Sequence, residues 1–436
     1  MAIAAELVVA GEDIERATLR RVSRRILAFL FIVFVFNQLD RSNLSFAALQ
    51  MNGRLGFTAE VYGFGVGMFF ISYLLFEIPS NLILRKVGAR IWLARIMITW
   101  GIVAAAMAFV YDETSFYVIR FLLGLAEAGF VPGYLYYLAR WVPEKNRAAA
   151  IALTAIAIPI AVVLGAPISG WLLSIGSLGG LDGWQWMFII EGLPSIVLGF
   201  IALGYLTERP EDATWLTPQQ RNWLVSQIEL EQRRAATGGH TSFGTAAKDA
   251  RVWIIAIGFF CATMSTYGIV YWMPQIIKQL SGLNNLEVSL LTALPFIGMG
   301  LGMFFNARHS DKVGERFWHF AIAIVASGIG LVVSAAVPSP VIALAGLILC
   351  ATGLGAGLGV LWPIPMTFLS GSAAAGGFAL INMIGNSAGF FSPNIIGRIR
   401  QATGSFTVGL YVLAGLMAVS AILLLVVRAM TKARSG

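Results

Sequence analysis

Seven ionisable side chains stand inside otherwise apolar runs: Asp40, Arg41, Glu77, Arg95, Arg120, Glu127 and Glu191. A charge at the centre of a membrane helix costs at least about 2.5–3.5 kcal/mol, so each calls for a partner or a water-lined cavity. Asp40 and Arg41 are adjacent in FNQLDRSNLS, residues 36–45, which continues the apolar run ILAFLFIVFVF. A guanidinium stays charged and offers fork geometry to a carboxylate, so Arg41 suits an anion clamp; an ion pair with Asp40 or Glu127 is the alternative. Arg120 either shares that contact or neutralises Glu127 from the same helix. Asp40 and Glu127 are the candidate proton carriers, with permanent ion pairs as the alternative. Desolvation raises a carboxyl's proton affinity and a nearby Arg lowers it, so a conformational change that alters either can load or release a proton.

The remaining candidates divide by position. Glu77 in FEIPSN and Arg95 lie near the same end of their helices and are expected to pair at an inner gate. Glu191 precedes Gly192 and Pro194, where carbonyls freed by a kink could change its partners. Asn37, Tyr73 and Tyr134 are further candidate substrate contacts. The second half of the chain offers Tyr267, Tyr271, Trp272, Trp362, Thr367 and Ser370, with Asn382 and Asn386 one helical turn apart. An organic anion could thus be held by charge from one half and by amides and ring faces from the other.

The elements that must position these groups are membrane helices. Of 436 residues, 58% are hydrophobic and 12% charged, about half the charged share of a soluble domain. Apolar runs between charged or turn-rich breaks predict twelve helices, near 26–49, 62–85, 91–111, 115–140, 147–175, 184–207, 252–277, 286–307, 317–337, 340–370, 375–400 and 405–429. On the first, Asn37, Arg41 and Ser45 repeat at i+4 and Asp40, Asn43 and Ala47 share the neighbouring face, so one broad polar side should meet a cavity. On the fourth, Arg120, Gly124, Glu127, Val131 and Tyr134 form one stripe, with Arg120 and Glu127 about 10.5 Å apart along the axis.

The net charge of +8 orients the chain and needs no nucleic-acid partner, because most of the 30 Lys and Arg residues lie on one set of loops. Both termini are expected on the cytoplasmic side. The organisation read from the sequence is an amino tail at 1–25, a six-helix half at 26–207, a cytoplasmic loop at 208–250, a second six-helix half at 251–429 and a carboxyl tail at 430–436. Residues 1–25 lack the apolar core and cleavage site of a signal peptide. KVGARIW at 86–92 and KVGERFW at 312–318 follow the second helix of each half, which implies two parallel repeats with a site between them. The glycine pairs Gly129/Gly133 and Gly385/Gly389 have the spacing of closely packed helices, and Pro159, Pro167 and Pro393 can bend them.

Those two loops resemble the motif Gly-x-x-x-Asp-Arg/Lys-x-Gly-x-Arg of the major facilitator superfamily. The second copy, Ala307 through Asp311, Lys312, Gly314 and Arg316, keeps the acid; the first, Asn81 through Arg85, Lys86, Gly88 and Arg90, has lost it. The stretches LDRSNLSFAAL, FEIPSNLILRKVGAR, FYVIRFLLGLAEAGFVPG, WQWMFIIEGLPS and ALINMIGNSAGFFSPNIIG are similar, in order and spacing, to the anion:cation symporter branch, especially its bacterial tartrate-transporter-like members. The resemblance implies an all-α integral membrane protein with the major facilitator fold of twelve transmembrane helices. It implies proton-coupled uptake of a small organic carboxylate by alternating access, with coupling at Asp40 and Glu127 and a transport-relevant Arg at 120. Gating or structural roles fall to Glu77, Arg95, Arg85, Arg90, Asp311 and Arg316. Aromatic or heterocyclic carboxylates, sodium coupling and anion exchange stay open.

Enzymatic chemistry finds no support. GLGAGLG at 353–359 lacks the Gly-Lys-Ser/Thr ending of a phosphate loop. His240, His309 and His319 are scattered, and Cys261 and Cys350 lie in apolar segments as small fillers, so no metal, cofactor or disulfide framework is expected. The expected partners are an organic anion, protons and the bilayer, in a monomer of the inner membrane.

Overall fold

The computed structural model describes residues 13–237, 247–369 and 371–435. Helix α1 runs over Asp13–Leu55, with a π segment at Ser23–Leu27. The helix therefore starts well before residue 26, and only residues 1–12 of the expected tail lie outside the described residues. Asp13 and Glu15 in its first turn suit the helix dipole. Arg25 seals this extension to the rest of the protein, 4.5 Å over the Tyr205 ring and 5.3 Å over Trp215.

The helices that follow are α2 (Ala59–Val87), α3 (Ala89–Ala106), α4 (Glu113–Glu127), α5 (Phe130–Trp141), α6 (Glu144–Ser174) and α7 (Gly183–Tyr205). The segment expected as a loop at 208–250 carries its own helix, α8 (Pro218–Thr237), tied to α6 by an Arg147–Glu231 ion pair at 2.9 Å; residues 238–246, most of its small-residue run, lie outside the described residues. The second half contains α9 (Ala250–Ser281), α10 (Asn285–Val313), α11 (Phe317–Ala336), α12 (Pro340–Leu361), α13 (Gly371–Thr403) and α14 (Thr407–Ser435).

Eleven spans among the described residues are long and apolar enough to cross a membrane, α4 and α5 together making one of them. The twelfth expected crossing is α13, whose Asn382, Asn386 and Asn394 dilute its apolar content. It packs on α2 and α9, so its amides lie inside the bundle instead of against lipid.

The fourth expected helix is broken. Ala128 leaves helical geometry and Gly129 is left-handed at φ 86°, where an added Cβ would sit 2.3 Å from the Ser80 hydroxyl oxygen. Ser80 Oγ donates to Ala128 O at 2.7 Å and accepts from Trp92 Nε1 at 2.9 Å, which satisfies a carbonyl the break releases. Glu127 consequently ends α4.

The two halves meet most tightly at the end away from the basic loops. A Cβ on Gly63 would lie 2.3 Å from Pro393 O, and one on Gly397 2.5 Å from Ala59 O, so α2 and α13 touch backbone to backbone. Gly389 lies under the Phe70 ring. Glu60 and Arg398 pair across this seam at 3.2 Å, and Tyr62 Oη donates to Tyr271 O at 2.9 Å. A Cβ on Gly170 of α6 would meet Ser289 of α10 at 2.7 Å on the same side.

Candidate functional site

The polar side of α1 serves two different neighbourhoods. Arg41 Nε donates to Glu127 Oε1 at 2.6 Å, its Nη2 forms an ion pair with the same oxygen, and Asn37 Nδ2 donates to it at 2.8 Å. Asp40 turns the other way. Its Oδ2 accepts from Trp100 Nε1 on α3 at 2.6 Å and from Ser195 Oγ on α7 at 2.9 Å. Asp40 and Arg41 are therefore not two tools on one cavity face: successive residues on a helix project about 100° apart, and that angle sends them to different neighbours.

Arg120 makes no ion pair with Glu127, whose charge reaches it only through space. It is 2% exposed, and its guanidinium donates to two backbone carbonyls of α2, Gly65 O at 3.3 Å and Val66 O at 3.4 Å. Among the described residues no carboxylate lies within 4.0 Å of it. The Phe69 ring sits between the two cations, with Arg41 at 5.2 Å and Arg120 at 5.0 Å from its centroid. Tyr73 adds a second ring 5.2 Å from Arg41.

Across the interface the second half contributes rings and amides. Tyr267 packs on Phe70 with centroids 4.7 Å apart and on Tyr271 at 6.2 Å, and its hydroxyl donates to Asn386 Oδ1 at 3.4 Å. Arg41, Tyr267 and Asn386 are half-buried, whereas Asn37, Asp40, Arg120 and Glu127 are closed off. The accessible surface of the site thus presents a paired arginine, a phenol and an amide.

Other expected contacts lie apart from this cluster. Tyr134 packs against Phe34 and Phe130, Trp362 against Phe259 and Phe378, and Trp272 against Tyr62 and Phe406. Asn382 is half-buried one turn from Asn386, and the Thr367 hydroxyl bonds its own turn at Ile364 O. Ser370 lies outside the described residues.

The expected Glu77–Arg95 pair does not form. Arg95 stacks 3.8 Å over the Trp92 ring and reaches Ala126 O at 3.5 Å, placing its charge at the carboxyl end of α4, where the helix dipole favours a cation. Asp311 and Arg316 pair at 2.9 Å in the second loop copy. In the first copy Glu208 replaces the lost acid: its oxygens accept from the backbone N–H groups of Ala89 at 2.9 Å and Arg90 at 2.8 Å, and Arg140 donates to it at 2.9 Å. Arg85 is exposed.

Four partners escaped the reading of the sequence: Trp100, Ser195, Glu208 and Ser169, whose hydroxyl donates to Glu191 Oε1 at 2.7 Å. Ser195 stands four residues after Glu191, a spacing that places both on one face of α7. Nothing local marks Trp100 or Glu208, because each acts on a residue distant in sequence.

Comparison with known proteins places the chain. The profile of the family described as Major Facilitator Superfamily matches residues 30–393. Two proteins of Agrobacterium vitis, each named "Putative tartrate transporter", are 49% identical over 418 residues, covering 96% of this chain and 93% of theirs, and 48% identical over 416 residues, covering 95% and 96%. Among solved structures, the crystal structure of a D-xylose-proton symporter superposes with a TM-score of 0.73 at 15% identity, covering 92% of this chain and 96% of that one.

Proposed function

The chain belongs to the Major Facilitator Superfamily, and from that premise we propose that it is a proton-coupled symporter for a small organic carboxylate of the tartrate or sugar-acid type. It is a multi-pass membrane transporter of an organic anion and not an enzyme. One observation carries the finer reading: Arg120 is a buried cation held by two carbonyls with no carboxylate partner among the described residues, one ring away from Arg41. An anion entering between the halves supplies the missing counter-charge, and a fork-shaped guanidinium favours a carboxylate.

Coupling follows from the two neighbourhoods of α1. Glu127 occupies Arg41 in this structure, so protonating Glu127 frees Arg41 for the substrate; Asp40 holds its proton among Trp100 and Ser195 and communicates through the turn of α1 that both share. The close seam between α2 and α13 keeps one end shut while the other admits the anion, and rocking of the halves exchanges the two. The basic loops set both termini on the cytoplasmic side, and the chain works as a monomer.

The Tyr267–Tyr271–Phe70 ring cluster favours a second reading, an aromatic or heterocyclic carboxylate stacked on those faces. One experiment separates them: uptake by purified protein in liposomes across aliphatic and aromatic carboxylates, with a pH gradient imposed, collapsed or replaced by sodium. Accumulation of tartrate-like acids that follows the pH gradient is the expected result. Accumulation that ignores it, or follows sodium, overturns proton coupling.

A further inference from the structure

We propose that Glu191 is a third proton-carrying residue, coupled through space to Asp40 so that the two carboxyls together carry one proton inside the N-terminal half, apart from the anion-holding arginines. The proposal rests on the proton-coupled reading above and names a group that reading does not use.

Helices α1 and α7 run antiparallel, and their polar faces pair in register: Asp40 stands opposite Ser195, and Asn43 opposite Glu191. Ser195 Oγ donates to Asp40 Oδ2 at 2.9 Å; one turn away the buried Asn43 amide faces the Glu191 carboxyl without an aligned hydrogen bond. Four residues of helix separate Glu191 from Ser195, about 6 Å along the axis, so the two carboxyls lie roughly a turn apart. Both side chains are 3% exposed.

The groups around the couple come from every packed element. Trp100 of α3 donates to Asp40, Ser169 of α6 donates to Glu191 Oε1 at 2.7 Å, and α1 and α7 supply Asn43 and Ser195. Glu127 of α4 is the other acid within electrostatic reach of Asp40, and its charge is matched by Arg41. No Lys, Arg or His among the described residues lies within 4.0 Å of Asp40 or Glu191. One oxygen of each, Asp40 Oδ1 and Glu191 Oε2, is buried without a hydrogen-bond partner. With no counter-ion at either carboxyl, a proton carried by one of them removes a charge from the interior and lowers the repulsion between the two. The geometry also gives the couple a direction. Gln50 of α1 accepts from the Trp184 N–H of α7 at 3.0 Å, and from that shared level Glu191 lies about 10 Å deep and Asp40 about 15 Å deep. A proton arriving from the face opposite the basic loops reaches Glu191 first, and its charge then sets whether Asp40 keeps or releases a proton.

The test uses full-length purified protein with two independent measurements. Infrared difference spectra titrated around neutral pH are expected to contain a protonated-carboxyl stretch that Glu191→Gln removes or displaces. Ser169→Ala, which keeps the carboxyl but removes its donor, is expected to shift the frequency of that stretch, and this arm remains available if Gln at 191 does not fold. In proteoliposomes, Glu191→Gln is expected to lose about tenfold of pH-gradient-driven tartrate accumulation, within the range for coupling between sites. Exchange of labelled for unlabelled tartrate should fall far less, and Glu191→Asp should recover part of the accumulation. A carboxyl stretch unaltered in both variants, or gradient-driven accumulation by Glu191→Gln equal to wild type, overturns the assignment. If wild-type protein itself ignores the gradient, the proton-coupled reading fails, and the infrared measurement alone decides whether Glu191 holds a proton.

Discussion

Adding one methyl group at Gly63 should open the end of the transporter that this structure closes. A Cβ there would sit 2.3 Å from the carbonyl oxygen of Pro393 and 3.0 Å from its carbonyl carbon, both backbone atoms of α13. No rotamer can relieve that contact, so the helices must separate by about 1 Å to reach ordinary van der Waals distance. Overpacking of this kind costs about 1–3 kcal/mol. On the proposed rocking of the halves the alternate state parts this seam, so the cost falls on the closed state alone and should shift the balance by about 5- to 150-fold. Spin labels on Thr114→Cys and Ala402→Cys, exposed positions on the two halves at that end, report the separation by pulsed electron resonance. The native Cys261 and Cys350 are buried and should not label. Gly63→Ala is expected to populate a longer distance, and Gly53→Ala, where nothing lies within 4 Å, is not. A distance distribution unchanged by Gly63→Ala in a folded, monodisperse protein would refute the assignment of this seam as the closed gate.

Three further outcomes follow from the site. Arg120→Lys should weaken tartrate binding by at least about tenfold, because an ammonium is a point charge without the guanidinium's fork and cannot serve the two α2 carbonyls and an anion in the same way; calorimetric titration of the purified protein checks this, and unaltered affinity would remove Arg120 from the site. Asp40→Asn keeps an oxygen for Trp100 and Ser195 but cannot take up or release a proton, so gradient-driven accumulation should be lost while anion exchange persists; the reverse pattern would assign anion binding to Asp40. Glu208→Gln should lower thermal stability by on the order of 1 kcal/mol, through weaker contacts to the Ala89 and Arg90 amides and to Arg140, read as an earlier unfolding midpoint in detergent.

The sequence by itself determined that this is a membrane protein, where its helices lie and which of them carry charge. Each follows from local composition: about 20 apolar residues span a bilayer, and an ion within such a run has few inexpensive environments. It also set Asn382 and Asn386 one turn apart on a face that lipid would not tolerate. Tertiary structure decided which partner each ion takes. Helical spacing shows that Asn37 and Arg41 share a face, but not that the face meets Glu127; it sets Asp40 beside Arg41 in the chain and leaves unsaid that Asp40 turns to Trp100 and Ser195. The Glu77–Arg95 pairing failed for the same reason, because the break at Gly129 gave Arg95 a helix end to cap. Glu208, more than a hundred residues from the loop whose missing acid it replaces, has no local signal at all. Periodicity fixes the direction of a side chain around its own axis, and only the packing of helices distant in sequence fixes what lies in that direction.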